Sequence, residues 1–149
     1  MREEFDRQVL PVYRASGRSL DVDKVVTLAS IIERETTMDR ERPIIASVYY
    51  NRFARSMRLE ADPTVQYALG HWKKGLTLKD LQVDSPYNTY MHRGMPPAPI
   101  CSPGLASIKA TLYPDRTNYL YFMADYRGGH TFQSTYDEFL KAKAAAKKE

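Results

Sequence analysis

Cysteine is almost absent from this chain of 149 residues. The one present, Cys101, excludes an internal disulfide and any CxxC metal or redox pair. Long apolar runs are absent as well: none approaches the roughly 20 residues that cross a bilayer. The opening Met1-Arg-Glu-Glu-Phe-Asp6 is too charged for the core of a signal peptide. Nor does one sign of charge dominate. Lys and Arg number 22 against 18 Asp and Glu, and Lys141, Lys143, Lys147 and Lys148 of the alanine-rich tail account for the excess of +4. The body is neutral, so despite eleven tyrosines and a pI near 9.1 it offers no basic footprint for nucleic acid. Histidine is scarce too: His71, His92 and His130 show no ligand spacing and no HExxH occurs, so no metal site is expected. With no GxSxG elbow and no glycine-rich phosphate loop after a strand, no cofactor is expected either.

What is present suits one domain with a proper core, at 43% apolar and 27% charged residues. Residues 1–20 read as a helical approach segment with a weak stripe of Phe5, Val9 and Leu10, ending in a linker at Ser16-Gly17. Asp21 is placed to cap a helix running to about Glu35, and Pro43 to open the next. Asp62-Pro63 repeats that start, Gly70 closes a short helix, and Thr77 is placed to cap another over 78–81. From Asp84 to Gly104, five prolines and two glycines predict a long ordered loop. Ser102-Pro103 opens a helix to Leu112. Tyr119–Ala124 and His130–Phe132 then form a hairpin across Gly128-Gly129, and Ser134 or Thr135 caps a last helix. The fold class expected is α+β: a mostly helical single domain over 21–149 with a small antiparallel hairpin.

One side chain on the first core helix stands out chemically. At about 100° per residue, Glu33 falls on one line with Val26 and Ala29. A carboxyl there is expected to be desolvated, hence protonated near neutral pH and able to donate a proton. A glutamate bordering the stripe with its head in water fits the same geometry. Glu35, two positions on, diverges by roughly 200° and cannot serve the same bond. Arg52 lies in the apolar arc of the next helix and needs a partner, so Glu35 and Arg52 are expected to form a structural ion pair. Tyr87, Tyr90 and Trp72 are suited either to stacking on sugar rings or to packing within the loop.

Six segments in order resemble the YceG-like endolytic transglycosylases, the MltG family that cuts peptidoglycan. They are Leu28-Ala-Ser-Ile-Ile-Glu33-Arg-Glu35-Thr36, Ala46-Ser-Val-Tyr-Tyr-Asn51-Arg52, Leu59-Glu-Ala-Asp62-Pro63-Thr64-Val-Gln-Tyr67, Ser85-Pro-Tyr87-Asn88-Thr89-Tyr90, the loop from Gly94 to Gly104, and the hairpin with Gly128-Gly129-His130-Thr-Phe132. The resemblance covers nearly the whole chain from about residue 25. It implies Glu33 as the essential glutamate, and Asn51, Asp62, Thr64, Tyr87, Asn88 and Tyr90 as groups that bind the glycan strand. It also implies a lyase reaction. The β-1,4 bond from N-acetylmuramic acid to N-acetylglucosamine is cut inside a strand, and the muramyl 6-hydroxyl closes on C1 to give a 1,6-anhydro end. A single glutamate suffices, first as acid and then as base, because the nucleophile is already tethered.

The same resemblance implies an N-terminal transmembrane anchor and a LysM-like subdomain ahead of this region, so the chain is read as an excised catalytic domain. Its expected place is the periplasmic or extracytoplasmic side of the inner membrane, in cell wall biogenesis. The expected partners are peptidoglycan strands and synthases of the penicillin-binding class, with membrane contact only through the missing anchor. Two rival readings stand beside it. One is a glycan-binding module without chemistry. The other is a lysozyme-type hydrolase, for which Asp62 is the available water-activating carboxylate.

Overall fold

The structure is a computed structural model describing residues 2–147, without the side chains of Arg2, Glu3, Phe5 and Lys147, so the readings made above at Phe5, Lys147 and Lys148 lie outside the described residues. Along the chain run α1 (Arg2–Ser16), α2 (Val22–Glu35), α3 (Arg42–Ala54), α4 (Asp62–Leu69), α5 (Leu105–Leu112), β1 (Tyr121–Ala124), β2 (His130–Gln133) and α6 (Tyr136–Lys147). Two 3-10 turns, Asp39–Glu41 and Asp80–Gln82, lie between them. This is the α+β arrangement anticipated above.

Local chemistry sets most boundaries. Asp21 caps α2 by accepting from the Asp23 N–H, and Pro43 sits in the first turn of α3, where no N–H is required. Gly70 ends α4 at φ +80, a backbone state that a side chain disfavours. Before α6, Thr135 Oγ1 accepts from Glu138 N while Glu138 Oε2 accepts from Ser134 N, a reciprocal capping box. The start of α4 departs from expectation. Its cap is Ala61, and Asp62 turns its carboxylate elsewhere.

Helix α2 is buried on two sides, and this decides the fate of its two glutamates. One stripe, Leu28, Ile31 and Ile32, packs with Ile45, Ala46, Tyr49, Leu59 and Ala61. The other, Val25 and Ala29 with Val26 at its edge, packs with Val9, Ile108 and Leu112. Helix α5 is thereby wedged among α1, α2 and α3. Val9 is only 3% exposed, so the helical segment α1 packs into this second core.

The hairpin pairs β1 with β2 antiparallel, Phe122 opposite Phe132. It hangs from α3 by side chains. Asn51 Nδ2 donates to the Thr117 and Tyr119 carbonyls, both at 2.9 Å, and Arg52 Nε to the Leu120 carbonyl at 2.7 Å. The long loop is tied just as firmly. Asn88 Nδ2 bridges the Leu81 and Val83 carbonyls at 2.9 Å each, and Ser30 Oγ accepts from Ile100 N at 3.1 Å. Among the described residues, no helix is long and apolar enough to cross a membrane.

Candidate active site

Glu33 extends the stripe that faces α5, but at that height the neighbour is the N-terminus of α5 and not apolar packing. Its Oε1 accepts from Gly104 N at 2.6 Å and from Ser107 Oγ at 3.0 Å, and Oε2 lies 3.7 Å from Arg42 Nη1. Arg42 is itself buried and donates to Asp39 and Ser107. Glu33 thus supplies the cap that Gly104, having no side chain, cannot give α5, at the helix end where a carboxylate is favourable. The sequence led to an expectation of apolar neighbours around Glu33; the structure places polar ones there, on a side chain that is 30% exposed. Its carboxylate is committed to two donors and a guanidinium.

Glu35 ends the other stripe, against the first core. Burial foremost, and then the charge of Asp62, push its carboxyl from 4.5 up to about 8, while a 3.1 Å hydrogen bond from the Tyr49 hydroxyl offsets part of the rise. Tyr49 is held protonated in turn: burial and the adjoining Glu35 push its phenol well above the ordinary range. The Glu35 side chain is half-buried and opens on a cleft of about 550 Å3. A carboxyl pushed up by burial thus stands on α2 two residues beyond Glu33.

The expected Glu35–Arg52 ion pair is not formed. Arg52 donates to three backbone carbonyls, of Leu120 at 2.7 Å, Arg58 at 2.8 Å and Leu59 at 3.5 Å, and Tyr121 covers its guanidinium. A buried guanidinium needs acceptors, and irregular backbone beyond the end of α3 supplies its hydrogen bonds, with Glu60 Oε2 at 3.7 Å as the nearby carboxylate.

Opposing chemistry lines the cleft. Asp62 carries the second carboxylate, whose Oδ1 accepts from the Tyr90 hydroxyl at 2.5 Å. Burial and that carboxylate push the Tyr90 phenol up, so the hydroxyl stays a donor. Trp72 is 75% exposed and Tyr67 46%, leaving large ring faces open to a ligand, and Tyr87 backs Tyr67 with ring centroids 4.7 Å apart. Arg34 and His71 add polar reach at the rim.

Of the groups that the resemblance implied for strand binding, Asp62 lines this cleft, as does Trp72, read from the sequence as a stacking ring. Tyr87 and Tyr90 stand behind the cleft, one on Tyr67 and one on Asp62. Asn51, Thr64 and Asn88 do not reach it. Asn51 holds the hairpin, as described. Thr64, fully buried, shares hydrogen bonds with the Ala61 carbonyl at 2.7 Å and Thr89 Oγ1 at 2.8 Å; Asn88, equally buried, ties the loop. Short polar side chains satisfy nearby backbone as readily as they meet ligands, and these three do the former. Tyr49 was missed as a site residue because it reads as core, and its hydroxyl partner lies on another helix. His130 is occupied by Glu41, which accepts from its N–H at 2.7 Å and its Nδ1 at 2.9 Å. No cluster of potential metal ligands exists among the described residues.

Fold and cleft together define an α+β domain in which one helix presents a desolvated carboxyl to an aromatic-walled groove. The profile of the YceG-like family matches residues 1–145, and the chain belongs to that family. It is 48% identical over 124 residues to the endolytic murein transglycosylase of Bacillus subtilis (strain 168), covering 83% of this chain and 34% of that protein. With the endolytic murein transglycosylase of Streptococcus pneumoniae serotype 2 it shares 32% over 144 residues, covering 93% of this chain and 26% of that one. The crystal structure of a yceG-like protein from Listeria monocytogenes superposes with a TM-score of 0.86 at 47% identity, over 92% of this chain and 45% of that chain. The chain spans about a third or less of the length of the curated relatives it matches.

Proposed function

We propose that this chain is the catalytic part of an endolytic peptidoglycan lytic transglycosylase, with Glu35 in the role the sequence suggested for Glu33. The observation that carries the reading is the Glu35 carboxyl, kept protonated up to about pH 8 and open to a cleft walled by Trp72 and Tyr67. In this scheme Glu35 gives its proton to the glycosidic oxygen as the C1–O4 bond breaks, releasing N-acetylglucosamine as an alcohol. The resulting carboxylate then takes the proton of the muramyl 6-hydroxyl as that oxygen bonds to C1, so the acid is restored and the 1,6-anhydro ring closes. The Asp62 carboxylate stabilises the positive charge that develops on the sugar. Tyr49 steadies Glu35 through its hydroxyl. The names of the relatives support the substrate.

The rest of the proposal follows from that substrate: action on nascent strands so that elongation ends, on the extracytoplasmic side of a membrane-held protein, beside a synthase of the penicillin-binding class. A second reading, hydrolysis, draws on the presence of Asp62 in the same cleft as Glu35. Mass spectrometry of digested glycan strands separates the two. Anhydro ends that disappear in Glu35→Gln support the proposal, reducing ends support hydrolysis, and undiminished cleavage by Glu35→Gln retires the assignment of the acid.

A further inference from the structure

A separate concavity of about 340 Å3 shares no lining residue with the cleft. Its walls include Arg52, Arg58, Glu60, Arg93, Tyr121 and Tyr136. Three guanidiniums meet one carboxylate there, the reverse of the balance between Glu35 and Asp62. The Arg52 side chain is only 8% exposed, and the carbonyls of Leu120, Arg58 and Leu59 fix its Nε and Nη1. Its Nη2 has no acceptor among the described residues, and it is not among their sealed, unsatisfied side-chain atoms, so it keeps an opening. Glu60 does not close the guanidinium off. Its Oε2 stands 3.7 Å from Nη1 on a side chain 47% exposed, a long ion pair on the nitrogen that already donates to carbonyls. Arg58 and Arg93 are exposed at the rim.

We infer that this concavity binds a carboxylate, and that the carboxylate is one carried by the peptide side chain of the glycan strand held in the cleft. The inference rests on the proposed function for the source of the ligand, but on its own geometry for the ligand's chemistry. A guanidinium fixed in place presents paired N–H donors that match a planar carboxylate, and losing its mobility beforehand lowers the cost of binding. The two sites are neighbours. Glu60 of the concavity precedes Asp62 of the cleft by two residues, and its N–H donates to the Thr89 carbonyl at 3.2 Å, beside Tyr90, whose hydroxyl donates to Asp62. Strand and side chain therefore engage separate surfaces, one acidic and one basic.

The test is an NMR titration of the 15N-labelled chain with a muramyl tetrapeptide, with its fully amidated counterpart, and with inorganic phosphate. The free acid is expected to shift the Arg52 Nε–H and the amides of Arg58, Arg93 and Tyr121, while the amide leaves these four signals unmoved. Arg93→Gln, which changes an exposed residue, should weaken the acid about tenfold, the loss of one charge-assisted bond. Equal shifts with the amide, no effect of Arg93→Gln, or phosphate binding as tightly as the tetrapeptide would each overturn the inference. A positive titration by a chain that leaves strands uncut retires only the cleavage reading; cut strands with a silent titration retire only this one.

Discussion

Asp62 and Glu35 face the same cleft, and the charge on the first helps keep the second protonated, while Asp62 itself is held by the Tyr90 hydroxyl at 2.5 Å. Two carboxylates from different elements thus have unequal parts set by surroundings: one anchored to a phenol, the other pressed against an apolar core.

The Asp62→Asn variant separates the chemical readings. Removing the charge takes away the second cause of the raised Glu35 value, leaving burial in place. The alkaline limb of the kcat/KM profile, set near pH 8 in the native chain, should move to lower pH while turnover at pH 6 persists at a reduced level. Complete loss of activity across the whole pH range would instead mark Asp62 as a water-activating base.

Stability should fall with rising pH on account of Glu35. Its folded value of about 8 exceeds the unfolded 4.5, so below pH 4.5 both states hold the proton and no penalty exists. Between the two values the unfolded chain releases a proton that the folded chain keeps, and the penalty grows until about pH 8. Glu35→Gln retains an acceptor for the Tyr49 hydroxyl and cannot ionise, so its Tm at pH 8 should exceed that of the native chain, with little difference at pH 4. Thermal melts at both pH values check this; a lower Tm for the variant at pH 8 would restore a stabilising ion-pair role for Glu35.

Glu33→Gln should act mainly on the fold. It weakens bonds to Gly104 N and Ser107 Oγ and removes the more distant of Arg42's two carboxylates, leaving Asp39, a loss of roughly 2 kcal/mol. Denaturant unfolding reads that loss, and folded variant should retain anhydro-end formation. Abolished cleavage with unchanged unfolding would return the acid to Glu33.

Much of the fold was legible because its punctuation is local. Asp21, Pro43, Gly70 and the Gly128-Gly129 turn act within a few residues of themselves, and the helices begin and end by them. The carboxyls were harder. A helical projection correctly put Glu33 beside Val26 and Ala29, but the polar end of α5 that completes the stripe arrives from 71 residues away. Similarly, Arg52 is satisfied by carbonyls, one of them 68 residues on, that no side-chain pattern encodes. Distant backbone decided both cases. Of the aromatics singled out in the sequence, Trp72 stands open at the cleft, whereas the exposure of Tyr67 beside it came from the fold of its segment and not from any pattern.

Asn51 and Arg52, adjacent on α3, together suspend the terminal hairpin from a helix that also supplies Tyr49 to the groove. One rigid rod thus serves as keel for two unrelated surfaces. Evolution can reshape the groove's outer lip around residues 66–72 without unhooking the hairpin, yet any rotation of that rod would disturb both at once.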